Sequence, residues 1–90
     1  MFEVIASKKI QKQINPIDKK LKLKILDLFL KLKSSPVPVN EFNTAKISDS
    51  ENKYRIRIQK IRIIYEVNWE QKRIEILKID KRKDRTYKKI

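Results

Sequence analysis

From Lys53 onward the apolar residues fall on every second position, and this period limits the possible folds more than any other feature of the chain. Tyr54, Ile56 and Ile58 alternate with Arg55, Arg57 and Gln59; Ile61, Ile63, Tyr65, Val67 and Trp69 alternate with Arg62, Ile64, Glu66 and Asn68. Successive side chains of a strand point to opposite faces, so such a run is stable as a strand with one face on a core and the other in water. The two runs read as neighbouring strands, and Arg73 to Ile79 reads as a third. Apolar residues on both parities of that third run predict a more buried position.

A two-residue turn at Gln59-Lys60 makes a hairpin of the first two runs, with Ile58 facing Ile61, Ile56 facing Ile63 and Tyr54 facing Tyr65. The apolar face then closes consistently. The same register sets Arg57 directly across from Arg62 on the polar face, with Arg55 two residues along. Like charges so opposed cost a sheet roughly 0.2–1 kcal/mol, which makes an anion their natural partner. The turn is weakly encoded, because Gln-Lys lacks the Asn-Gly signature. Two readings of these arginines stay open: solvent-facing strand residues, or ligands for an anion.

Before Lys53 the period is different. Phe2-Glu3-Val4-Ile5-Ala6 suits a short strand, Ser7 offers an N-cap, and Ile10, Ile14 and Ile17 recur at helical spacing, predicting a helix from about Lys8 to Ile14. Asn15-Pro16 is a second start signal, since Asn caps well and Pro is tolerated at the first helical position. The long helix that follows ends near Lys33-Ser34-Ser35, because Pro36 and Pro38 forbid its continuation. It carries two apolar stripes, Leu21, Ile25, Leu28 and Leu32 on one face and Leu23, Leu26 and Leu30 near the other. The second stripe either packs on the first helix or forms a groove for a partner's helix. Val39 to Asn52 reads as a polar loop, with a brief strand at Ala45-Lys46-Ile47.

Charge and missing residue types narrow the function. Ninety residues make one small domain, spanning 1–90. Lys and Arg number 24 against 11 Asp and Glu, a net charge of +13, which attracts polyanions. Residues 53–90 hold 14 cations and five anions, so +9 of that charge lies in the strand region and the basic end after it. Within that end Tyr87 sits among Lys81, Arg82, Lys83 and Arg85, and cations with an interleaved aromatic suit RNA phosphates and bases, although such a run can equally be a solvated tail. With no Cys and no His, thiolate and imidazole catalysis are excluded, as are cysteine zinc sites and the commonest metal ligand. No carboxylate cluster suggests a metal. No apolar run exceeds three residues, so neither a signal peptide nor a membrane span can be drawn, and the chain is expected to be soluble and cytoplasmic.

Tyr54-Arg55-Ile56-Arg57-Ile58, then Arg62-Ile63-Ile64-Tyr65-Glu66-Val67, then Ile76-Leu77-Lys78-Ile79 followed by Arg82 and Tyr87, resemble the RelE/ParE toxin superfamily, and within it archaeal RelE. The resemblance implies an α+β fold, in which an N-terminal strand and a two-helix hairpin pack on an antiparallel three-strand meander (β-α-α-β-β-β) with a basic C-terminal tail. It implies a toxin that cuts mRNA on the ribosome through the substrate's own 2′-OH, with neither metal nor cofactor. An acidic antitoxin of RelB type would be its partner, with the Leu23, Leu26 and Leu30 stripe as the antitoxin's docking surface. Carried over by position, the catalytic residues are Arg55, Arg57, Arg62, Arg82 and Tyr87, with Arg85 as the alternative to Arg82. Lys53, Lys60, Lys81, Lys83 and Arg85 are then RNA contacts. The chain departs from the family in having Lys81 where several members carry His, and in lacking Gly at the hairpin turn. Two other functions stay open, a ParE-like inhibitor of DNA gyrase and a non-catalytic RNA-binding protein; both hairpin arginines and the terminal Tyr argue against the gyrase inhibitor.

Overall fold

The computed structural model describes residues 1–81. In chain order it contains β1 (Glu3–Ile5), α1 (Lys8–Ile14), α2 (Lys19–Ser34), β2 (Asn43–Lys46), β3 (Lys53–Ile58), β4 (Ile61–Asn68) and β5 (Arg73–Lys81). The five strands form one sheet in the order β1-β5-β4-β3-β2, antiparallel throughout except that β1 runs parallel to β5. This is the expected α+β architecture with one strand added. β2 precedes the three-strand meander and pairs with β3, lying slightly upstream of the brief strand predicted at Ala45-Lys46-Ile47.

Both helices lie on one face of the sheet and close a single core. Ile10 and Ile14 of α1 and Leu21, Ile25, Leu28 and Leu32 of α2 meet Ile56, Ile58, Ile61, Ile63, Tyr65, Val67, Ile74, Ile76 and Ile79 of the strands. Among the described residues no polar or charged side chain is buried. Burial at about 25 cal/mol per Å2 of apolar surface is the main term favouring a chain whose net charge repels itself. No helix among the described residues is long and apolar enough to cross a membrane.

Local signals account for the element ends, with one correction. Ser7 caps α1 by accepting from the Ile10 N–H at 3.3 Å. The cap of α2 is Asp18, whose Oδ1 accepts from the Leu21 N–H at 2.9 Å, and not Asn15. Asn15 ends α1 instead, donating its backbone N–H to the Gln11 carbonyl, and Pro16-Ile17 turn the chain between the helices. Asp18 adds a full negative charge to the positive end of the α2 dipole, an advantage that a neutral Asn lacks.

The hairpin register is the one the alternation demands, with Tyr54↔Tyr65, Ile56↔Ile63, Arg57↔Arg62 and Ile58↔Ile61. Its turn sets Gln59 at φ 52, so a residue with a Cβ takes the left-handed position that glycine favours. β5 differs from the expectation. It is an interior strand, yet its apolar residues on both parities arise from a bulge: Ile64 pairs with Lys78 and Tyr65 with Ile76, leaving Leu77 as the extra residue. Ile74 and Ile76 face the core before the bulge, and Ile79 does after it.

Candidate functional site

The face of the sheet away from the helices is where the charged strand residues collect. Pairing across four strands lines up Asn43, Arg57, Arg62 and Asp80 in one row, and Ala45, Arg55, Ile64 and Lys78 in the next. Directly opposed residues on one face have Cβ atoms about 4.5–5.5 Å apart, so the three arginine side chains leave the sheet from one small area near the hairpin tip. Arg57 is exposed, while Arg55 and Arg62 are half-buried against their neighbours. Arg62 Nη2 donates to Asp80 Oδ2 at 2.9 Å, and Lys78 Nζ lies 3.5 Å from the same oxygen. Arg55 Nη1 and Arg62 Nε are buried atoms with no hydrogen-bond partner among the described residues. The hydrogen bond from Arg62 holds the Asp80 carboxyl below its ordinary pKa; partial desolvation opposes this and Lys78 assists it.

The other anticipated RNA contacts divide by register. Lys60 lies in the turn, exposed beside the arginine rows. Lys53 pairs with Glu66, which in turn opposes Glu75, so it belongs to an acidic part of the same face about 13 Å along the strand from Arg57. Lys81 pairs with Ile61 and therefore lies on the helix side of the sheet, which removes it from the arginine face. The bulge at Leu77 is the cause, since it fixes which β5 residues alternate outward. Arg82, Lys83, Arg85 and Tyr87 lie outside the described residues.

Asp80 and Lys78 are the site residues that the sequence reading missed. Extending the strand register into β5 would have found them only with the bulge included. Uninterrupted alternation from Ile74 and Ile76 sends both positions to the core side.

Two aromatics of β4 and its end, Tyr65 and Trp69, pack against other rings of the domain. Tyr65 is fully buried, donates its hydroxyl to the Pro36 carbonyl at 2.7 Å, and stacks on Tyr54 with centroids 5.7 Å apart. Burial, helped by Tyr54, pushes its pKa up, so it stays a neutral donor. Trp69 lies beyond the end of β4 and meets Phe2 edge-to-face at 5.7 Å. Among the described residues no group of three carboxylates could hold a metal ion, and the sequence has neither His nor Cys to contribute.

The second stripe of α2 is exposed, which corrects the reading that it packs on α1. Leu23 is 58% exposed, Leu26 47% and Leu30 63%, whereas α1 packs against β5. Leu26 and Leu30 border a groove of roughly 400 Å3 completed by Val4, Ala6, Phe29 and Lys33.

Comparison with known proteins matches this chain, over residues 2–86, to the family described as the ParE toxin of the type II toxin–antitoxin system parDE. A protein of Methanocaldococcus jannaschii that bears the toxin name RelE1 is 32% identical over 81 residues, 90% of each chain. The archaeal RelE–RelB complex of Pyrococcus horikoshii OT3 contains a chain that superposes with a TM-score of 0.83 at 31% identity, covering 90% of this chain and 94% of that one. The isolated RelE toxin of E. coli shares the fold at a TM-score of 0.76 and 13% identity, covering 93% and 87%.

Proposed function

The chain belongs to the ParE toxin family of type II toxin–antitoxin systems and is similar throughout to archaeal RelE toxins, and from that membership we propose that it is an mRNA interferase, cutting messages on the ribosome in the cytoplasm. The observation that carries the proposal is the pair of directly opposed arginines, Arg57 and Arg62, beside Arg55 on the face away from α1 and α2. A sheet pays a modest stability penalty for opposed like charges, and a phosphate removes it.

Cleavage of RNA by its own 2′-OH needs that hydroxyl deprotonated, negative charge stabilised on the phosphate, and a proton delivered to the 5′-oxygen that leaves. Guanidinium groups supply the second of these as bidentate donors aimed at developing charge. They are poor bases because they stay protonated. Arg82 and Tyr87 are the further catalytic candidates carried over from the family, with Tyr87 able to stack on a base or exchange a proton. Lys60, Lys83 and Arg85 would add phosphate contacts. A site this sparse depends on something else to align the RNA, which is why the ribosome-bound message is the proposed substrate.

An acidic antitoxin of RelB type is the proposed partner. Antitoxin complexes occur among the similar structures, and this chain offers an exposed leucine stripe beside a groove together with a charge of +13.

The test is message cleavage on programmed ribosomes and on the same RNA free in solution. The wild-type protein should cut the first well and the second poorly. The Arg57→Ala/Arg62→Ala variant should lose at least ~10²-fold in rate, the scale of losing a transition-state charge contact. Undiminished cleavage by that variant removes this face from the mechanism. Inhibition of gyrase supercoiling without cleavage would establish the ParE-like activity instead.

A further inference from the structure

We propose that Asp80 is a positioning residue for Arg62, fixing the orientation of its guanidinium before RNA arrives. This rests on the reading of the arginine face as the cleavage site. The geometry is specific. Asp80 lies directly across from Arg62 on the neighbouring strand, and its Oδ2 takes one Nη2 hydrogen at 2.9 Å. Lys78, two residues away on the same strand and face, holds that same oxygen at 3.5 Å. Asp80 thus touches only one corner of the guanidinium. Arg62 Nε, buried and without a partner among the described residues, is left with unused donor capacity.

An arginine side chain carries about 2 kcal/mol of rotamer entropy, which an unrestrained Arg62 would lose only as it tightens on the charge that develops in the transition state. A single charge-assisted contact from a rigid strand removes much of that freedom in the folded protein. Asp80 also places a negative charge beside Arg62 on the side away from Arg57. This moderates the repulsion between the two arginines and lets them share one row. Its charge meanwhile weakens the attraction of the face for RNA. Asp80 therefore has opposite effects on the two stages: it should favour the chemical step and disfavour binding. Carboxylates that merely stabilise a fold have no such signature.

The experiment compares Asp80→Asn and Asp80→Glu with the wild-type protein. Single-turnover cleavage on programmed ribosomes gives the rate of the bound complex and the apparent affinity separately. Asp80→Asn should lower the rate at saturation by ~10-fold while leaving affinity unchanged or tighter, and Asp80→Glu should recover part of the rate. Proton exchange at the Arg62 Nη2 hydrogens, which Asp80 holds, followed by NMR in the free protein, should quicken in Asp80→Asn. Unchanged exchange, or a saturated rate equal to or above wild type, overturns the proposal. So does a loss of rate and affinity together that tracks a fall in melting temperature, since that is the mark of a purely structural role. The NMR measurement separates the two levels of inference: if wild-type protein leaves ribosome-bound message intact the interferase reading fails, whereas unchanged exchange defeats the positioning role whether or not the message is cut.

Discussion

Replacing Tyr65 by Phe removes one hydroxyl from a fully buried side chain and leaves the rest of the ring in place. That hydroxyl donates to the Pro36 carbonyl at 2.7 Å, tying the segment after α2 to the sheet. An acceptor left without its donor costs about 1–3 kcal/mol. Pro36 is half-buried, so water can reach its carbonyl in part, and the lower half of that range, about 1–2 kcal/mol, applies. For a domain of this size the melting temperature should fall by roughly 5–15 °C.

The penalty should also depend on pH, with a sign that the structure dictates. Burial raises the Tyr65 pKa in the folded protein, whereas in the unfolded chain the phenol ionises near its ordinary value of ~10. Above that pH the unfolded state binds fewer protons than the native state, so stability falls by about 1.4 kcal/mol per pH unit until the native phenol ionises as well. The wild-type protein loses this contribution; the Phe variant has none to lose. All other ionisable groups are common to the two proteins and largely cancel in the difference. Urea unfolding of the two at pH 8, 9, 10 and 11 should therefore show a constant stability gap up to about pH 9 that shrinks markedly by pH 11. A gap as wide at pH 11 as at pH 8 would refute the linkage, and a variant as stable as wild type at pH 8 would refute the hydrogen bond's contribution.

Two further predictions concern the helix stripe and the turns. Leu26→Gln/Leu30→Gln should leave the free protein folded but weaken an acidic antitoxin about 10–150-fold in a calorimetric titration; each leucine is already about half exposed, so only about half of the usual ~1.5–3 kcal/mol per buried Leu remains to be gained in the complex. Gln is preferred to Lys because an added cation would attract the acidic partner, and an unfolded free variant or an unaltered affinity would count against this surface. Gln59→Gly should raise the melting temperature by a few degrees, because relief of the left-handed strain at φ 52 outweighs glycine's extra chain entropy by about 0.5 kcal/mol; a lower melting temperature would show that the turn carries no strain.

How far the sequence can be read depends on whether a local pattern has one physical solution. The hairpin register does, because a shift of one residue would turn Ile56, Ile58, Ile61 and Ile63 outward, and so Arg57↔Arg62 was legible without a structure. The face of α2 that covers the sheet was legible for the same reason. Asn15-Pro16 and Asp18 offered two adequate helix starts, and the choice between them turned on charge at the helix end. The bulge at Leu77 had no local signal, since Ile-Leu in a strand suits burial on both faces as well as an inserted residue. Everything that depends on β5 parity was hidden with it: Asp80 beside Arg62, and Lys81 on the other side of the sheet.

At +13 this chain has cations over most of its surface, so the amount of charge does not mark a site. Placement does. On the open face the arginines gather near the hairpin tip, while Glu66 and Glu75 oppose each other farther along the same strands and Glu3 lies against Arg73 at the far edge. Polyanion attraction is thus concentrated at one end of the sheet and countered at the other. The cost of that arrangement is local as well, because Arg57 and Arg62 repel each other between two core pairs, Ile56↔Ile63 and Ile58↔Ile61, that lock β3 and β4 in register. Isoleucines on the buried face fix the two strands so firmly that the opposed arginines cannot separate by slipping. The packing that determines the fold therefore also keeps the cationic site assembled.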